Sequence, residues 1–147
     1  MYKKNNGFTL IELLVVIAII GILSSIVLAS LNTSRGKGND AKVKAQLSGL
    51  RSSAEVYYDS NGDYGGAVTS DCADGMFADT ASGVATYTNT ANYPTGIVLN
   101  CNSTGSAYAV SGLLPGDVAN DVYWCVDSSG ASKQIDDQLA DDDTDCD

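Results

Sequence analysis

FTLIELLVVIAIIGILSSIVLASL, residues Phe8 to Leu31, is a run of 24 residues whose single charge is Glu12. As an α-helix it would be roughly 36 Å long, enough to cross a hydrocarbon core of about 30 Å. It is apolar on every face. That is the pattern of a helix in lipid or in a tight bundle, and not of one half-exposed on a globule. A removable secretory signal has a shorter apolar core and a small-residue exit. Here Ser30-Leu31-Asn32-Thr33-Ser34 closes the run, so it reads as a retained membrane segment.

Upstream, Met1 to Gly7 is polar and carries Lys3 and Lys4. Downstream, Gly36 and Gly38 are poor helix formers, each costing about 1 kcal/mol relative to Ala, and they are expected to loosen the helix. From Asp40 the pattern becomes amphipathic. Val43, Leu47, Leu50, Ala54 and Tyr57 or Tyr58 recur at steps of three and four, one helical stripe. A single helix is therefore expected from about Phe8 to Tyr58. It ends in Asp59-Ser60-Asn61-Gly62-Asp63, a dense turn signal. Residues 67–95 have no sustained period and read as a long surface connection with at most one short strand. Strand-like pieces follow at Ile97–Leu99, Ala107–Ser111 and Val122–Val126. A turn at Asp127–Gly130 leads into Ser132–Ile135. The tail is acidic, low in complexity and expected to be solvated.

The chain has 147 residues, room for one ordinary domain, with 8 basic and 18 acidic residues and no histidine. The missing imidazole excludes His-based acid–base catalysis, Ser-His or Cys-His nucleophilic pairs and His-ligated metal. No other nucleophile constellation is evident, and scattered aspartates are weak support for a glycosidase pair. The net charge of −10 argues against direct nucleic-acid binding, which needs Lys and Arg at phosphates. Charge is segregated. Between Arg35 and Arg51 five bases face Asp40 alone, net +4; from Glu55 onward 16 acids face Lys133 alone, net −15. The basic collar is a solvated surface or a contact with anionic lipid head groups, worth about 1 kcal/mol per base there.

Four cysteines, Cys72, Cys101, Cys125 and Cys146, suit disulfides in an exported protein and allow three connectivities. Their spacing is too wide for a Cys₄ zinc site, with no C-x-x-C pair. Asp59, Asn61 and Asp63 partly resemble a calcium loop. Gly62 is misplaced for an EF-hand, however, and no glutamate follows at the right distance. A helix-ending turn is the simpler reading. The C-terminal Asp136, Asp137, Asp141, Asp142, Asp143 and Asp145 could hold calcium or simply be solvated. No metal and no cofactor is assigned.

Gly7-Phe8-Thr9-Leu10-Ile11-Glu12 after Lys3-Lys4 resembles the class III signal and N-terminal helix of type IV pilins and type II secretion pseudopilins. The resemblance is close over residues 1–35 and holds by layout only beyond them. It implies cleavage after Gly7 by an inner-membrane prepilin peptidase, methylation of the new amino group on Phe8, and polymerisation through the helix. Glu12, costly in a membrane if unpaired, would pair with the N-terminal ammonium of a neighbouring subunit and set axial register. Lys3 and Lys4 would hold the leader in the cytoplasm, although a positive-inside count over Arg35, Lys37, Lys42 and Lys44 favours the opposite orientation. The cysteines and acidic head place the C-terminal side outside. Many pilins have a proline near Ala29; this chain has only Pro94 and Pro115, so any melting of the helix would rely on Gly21, Gly36 and Gly38. Local pairings Cys72–Cys101 and Cys125–Cys146 are favoured, the second resembling the disulfide-closed C-terminal loop of pilins.

The resemblance implies an α+β pilin fold: a long N-terminal α-helix with an apolar first half and a small antiparallel sheet in a head domain. It divides the chain into a leader (1–7), a transmembrane and filament-core helix (8–34), the amphipathic second half of that helix (35–58) and a head with an acidic tail (59–147). The expected function is structural, a pilus subunit for adhesion, twitching motility or DNA uptake. Expected partners are copies of itself, the prepilin peptidase and the inner-membrane assembly platform with its ATPases. The subunit would sit in the membrane first and in a surface filament later. The rivals are a type II secretion pseudopilin and a membrane-anchored binding module that keeps its leader.

Overall fold

The computed structural model describes residues 7–65, 71–117 and 122–147. The leader bases Lys3 and Lys4 lie outside the described residues. One helix, α1, runs without interruption over Leu10–Asn61. Glycines 21, 36 and 38 all lie within it. The chain divides into two units, one up to Arg35 and one from Gly36 onward.

In the first unit every large apolar residue from Phe8 to Leu31 is exposed, from 46% at Val16 to 80% at Phe8. Among the described residues α1 is the one helix long and apolar enough to cross a membrane.

The second unit is built on the amphipathic stripe of α1. Val43, Leu47, Leu50 and Ala54 are fully buried, at the three-and-four spacing that puts them on one face. They share a core with a four-stranded antiparallel meander in sequence order, β1 (Leu99–Ser103), β2 (Tyr108–Leu113), β3 (Tyr123–Asp127) and β4 (Ser132–Ile135). The register pairs Cys101 with Val110, and Val110 with Val126, so these residues share the face turned to the core. Gly112 sits where helix and sheet come closest. A Cβ there would lie 3.2 Å from Val43 and Leu99 and 3.3 Å from Leu47. Gly36 plays a similar part: an added Cβ would be 3.0 Å from the Gly116 Cα. Its small size serves close packing within an unbroken helix.

Two segments differ from the sequence expectation. Residues 71–95 contain no strand among those described. They form a 3₁₀ turn at Gly75–Ala78, a short helix α2 (Val84–Thr88) and a 3₁₀ turn at Thr90–Asn92. Side chains organise this stretch where periodicity does not. Asp74 caps the first turn through Gly75 N–H, Asn89 accepts from Ala91 N–H, and buried Thr88 donates to the Phe77 carbonyl at 2.8 Å. Strand β1 starts two residues later than the apolar Ile97–Leu99 piece and carries polar Asn100, Asn102 and Ser103.

The tail is the larger surprise. Its aspartates are exposed, as solvation requires, but its backbone is tied down over the sheet face opposite α1. Leu139 and Cys146 are buried against Ala109 and Cys125. The Asn102 side-chain amide donates to the Ala140 and Asp143 carbonyls at 2.7 and 2.8 Å. The Ala140 and Asp143 carbonyls leave no mark in the sequence because they are main-chain groups. The sheet is thus covered on one face by α1 and on the other by the C-terminal strap.

Candidate functional site

The structure begins its helix two residues after Phe8. Gly7, Phe8 and Thr9 are non-helical, and the first helical bond runs from Leu13 N–H to the Thr9 carbonyl at 3.3 Å. The peptide bond between Gly7 and Phe8 therefore lies outside α1, and among the described residues nothing stands within 4 Å of where a Gly7 Cβ would be. A residue without a side chain, as Gly7 is, lets another protein approach its backbone closely.

Thr9 and Glu12 form a reciprocal cap. Thr9 N–H and Oγ1–H donate to Glu12 Oε2 at 2.9 and 2.6 Å, and Glu12 N–H donates to Thr9 Oγ1 at 3.3 Å. This is the capping box, which satisfies otherwise unpaired helix-end donors. The carboxylate also sits at the positive end of the helix dipole. Sequence reasoning named Glu12 but passed over Thr9. The T-x-x-E spacing ahead of an apolar run was the signal that could have found it. Glu12 is thus held at the very start of the helix, with Phe8 exposed four residues upstream.

The cysteines lie in the second unit. Cys72 is joined to Cys101, fixing the segment before the first 3₁₀ turn to β1, and Cys125 to Cys146, fixing the strap to β3. Beside the second bond lies Asp127, only 2% exposed. It accepts from Ser129 Oγ–H, Ala131 N–H and Cys146 N–H at 2.7, 2.9 and 3.1 Å. Burial pushes its carboxyl pKa up, but these hydrogen bonds outweigh burial and hold it below the usual aspartate value.

The remaining candidates resolve into structural roles. Asn61 donates to the Tyr57 carbonyl and Asp63 accepts from Gly65 N–H, with Gly62 in the left-handed region at φ 82°. The would-be calcium loop is occupied in ending α1. Tyr58 is partly exposed and packs on Tyr64 at 4.7 Å; Tyr64 in turn meets buried Tyr108 at 4.9 Å. Burial and its bond to Glu55 push Tyr64 up to about 12, so it remains a donor at neutral pH. Asp40 accepts from Gly116 N–H at 2.7 Å, and the Lys44 ammonium stands 4.4 Å from the Trp124 ring centroid. Among the described residues no three His, Cys, Asp or Glu side chains converge as a metal site would require.

Residues 2–28 match the prokaryotic N-terminal methylation motif. The chain is also 45% identical over 62 residues to the type IV wide pilus major component PilA4 of Thermus thermophilus, covering 42% of this chain and 47% of that one. These matches, each over less than half of the chain, support membership of the type IV pilin and type II secretion pseudopilin superfamily.

Other relatives of this superfamily lie on both sides of that pair of names. The type II secretion system core protein G of Dickeya chrysanthemi is 34% identical over 64 residues, 44% of this chain and 42% of its own length. The fimbrial protein of Neisseria meningitidis is 41% identical over 72 residues, 48% of this chain and 41% of its own. The chain spans less than half the length of each of these relatives. No solved structure matches it. The α+β architecture, one long N-terminal helix and an antiparallel sheet, is that of the pilin fold.

Proposed function

We infer that this chain is a structural subunit of a type IV pilus, without enzymatic activity of its own. The observation that carries the reading is the contrast between the two units. The first exposes an unbroken apolar helix from Leu10 onward, and the second is a folded head. An apolar surface of that extent is stable only in lipid or against copies of itself. The subunit waits in the membrane and then exchanges lipid for neighbouring helices in an extracellular filament, driven by an external motor.

The hexapeptide gives the entry step. Prepilin peptidase would cut between Gly7 and Phe8, outside the helix, and methylate the Phe8 amine. Glu12, already oriented by Thr9, would meet the Phe8 ammonium of an adjacent subunit. In a low-dielectric bundle that pair is worth far more than on a surface, and it sets register. The assembly platform and its ATPases complete the set of partners. The name of the Thermus thermophilus relative supports the pilus. The core protein G relatives favour a second reading, a pseudopilin of type II secretion.

Intact mass of protein sheared from cell surfaces, with and without reduction, tests this. The expected mass begins at Phe8, carries one added methyl and shifts on reduction by two disulfides. Protein confined to membranes with residues 1–7 attached would replace the filament by an anchored module. Processed protein without surface filaments would favour the pseudopilin.

A further inference from the structure

The second unit carries two opposite charge surfaces that it does not neutralise internally. Lys37 and Lys42 are exposed on α1, and among the described residues neither has an ion-pair partner. The single ion pair described there, Lys133 Nζ to Asp147 Oδ1 at 2.7 Å, uses neither of them. Lys44 is engaged with Trp124. On the strap, Asp136, Asp137 and Asp141 are exposed, and the strap is fixed at Ala140 and Asp143 by Asn102 and at Cys146 by Asp127 and Cys125. The acids are therefore presented on a held frame.

We propose that the exposed face of α1 around Lys37 and Lys42 is a docking surface for a second copy of this chain, whose acidic strap it receives. This rests on the filament reading above. Heads that each carry net −15 from Glu55 onward repel one another when packed side by side. Beyond Lys133, and apart from Lys3 and Lys4 ahead of the Gly7–Phe8 bond, the chain's own counter-charge is the collar. Packing that sets the collar of one subunit against the strap of the next removes repulsion and adds attraction at once. Gly38, Ala41 and Ala45, exposed beside the two lysines, present no bulk to keep a second head away. Lipid head groups would satisfy the lysines but leave the acidic straps of neighbours unopposed.

The test is a charge swap in the full chain, in cells that make the filament. K37E/K42E and D137K/D141K are each expected to cut sheared filament yield about tenfold, and the four changes together to restore it to within about twofold. Unchanged thermal melting of each purified variant in detergent assigns the loss to assembly. If a variant melts early, the unsubstituted filament supplies the readout: its release of subunits in mild detergent should speed up as ionic strength rises. Normal yield from both single-side variants, or no rescue on combining them, overturns the proposal. Loss in K37E/K42E alone, tracking lost binding to phosphatidylglycerol vesicles, overturns it in favour of lipid. Absence of filaments from the unsubstituted chain removes the filament reading first, and is distinguishable because no variant is involved.

Discussion

The carboxylate of Asp127, at the end of β3, accepts at 3.1 Å the main-chain N–H of Cys146, the same residue whose disulfide reaches Cys125 two positions before Asp127. A buried charge is thereby converted into a latch for the C-terminal strap, because the groups that repay its desolvation are the turn at Ser129–Ala131 and the strap itself.

Asp127→Asn should destabilise the head by about 1–3 kcal/mol, since a buried acceptor with three donors becomes an amide that cannot satisfy them all. The pH dependence has a definite sign. The native carboxyl pKa is depressed, so its stabilisation is complete above the unfolded aspartate value of 3.8 and is lost as pH falls through the lower native value. Urea melts of the full chain in detergent between neutral and strongly acid pH should show a stability gap between wild type and variant that closes below that value. A gap independent of pH would contradict the latch.

Serine replacement of either disulfide should cost about 3–4 kcal/mol in the chain-entropy picture, for separations of 29 and 21 residues. The two losses should differ in kind. Cys125→Ser/Cys146→Ser frees the strap alone, and hydrogen exchange should rise at residues 139–146 with α1 still protected. Cys72→Ser/Cys101→Ser should loosen the segment after Cys72 and leave the strap intact.

Gly112→Val should destabilise by about 1–3 kcal/mol through overpacking, because its Cβ alone would already crowd Val43, Leu47 and Leu99. A Leu47→Ala partner should recover part of the loss, a coupling that a thermal-melt double-mutant cycle measures.

Thr9→Ala removes one side-chain donor to Glu12 and the acceptor for Glu12 N–H. Loss of a cap of this type costs about 1 kcal/mol. The expected outcome is fraying of the first turn of α1, read as faster amide exchange at residues 10–13 in detergent, with the head unaffected. Thr9→Ser, which keeps the hydroxyl, should restore protection.

What was legible in the sequence depended on the range of the interaction. The apolar run and the Val43, Leu47, Leu50, Ala54 stripe are local, periodic signals, and the helix they specify is there. Val122–Val126 and Ser132–Ile135 alternate, or are bounded by a turn, and both fall on strands. Strand β1 was misplaced because Asn100 and Asn102 break the apolar pattern; Asn102 is buried by a contact 38 residues away, at Ala140. Residues 67–95 read in the sequence as a long surface connection because the order of 71–95 comes from single side chains such as Asp74, Thr88 and Asn89, which leave no period. The strap escaped for the same reason. Its acidic side chains advertise solvent, and apart from Leu139 and the Cys146 disulfide its anchors are carbonyls and an N–H that any sequence would possess. At the candidate site Glu12 was legible from its oddity in an apolar run, whereas Thr9 was ordinary until paired with it.

The strap has a consequence for how this protein can change over time. Asn102 and Asp127 grip its main chain, and Leu139 and Cys146 are its buried side chains. Between them, the side chain of Asp141 is exposed and forms none of these anchors. A change at Asp141 can therefore alter what the surface presents with little effect on the stability of the head. Any restraint on such a position comes from what its charge meets outside the head, while the scaffold beneath it stays constant.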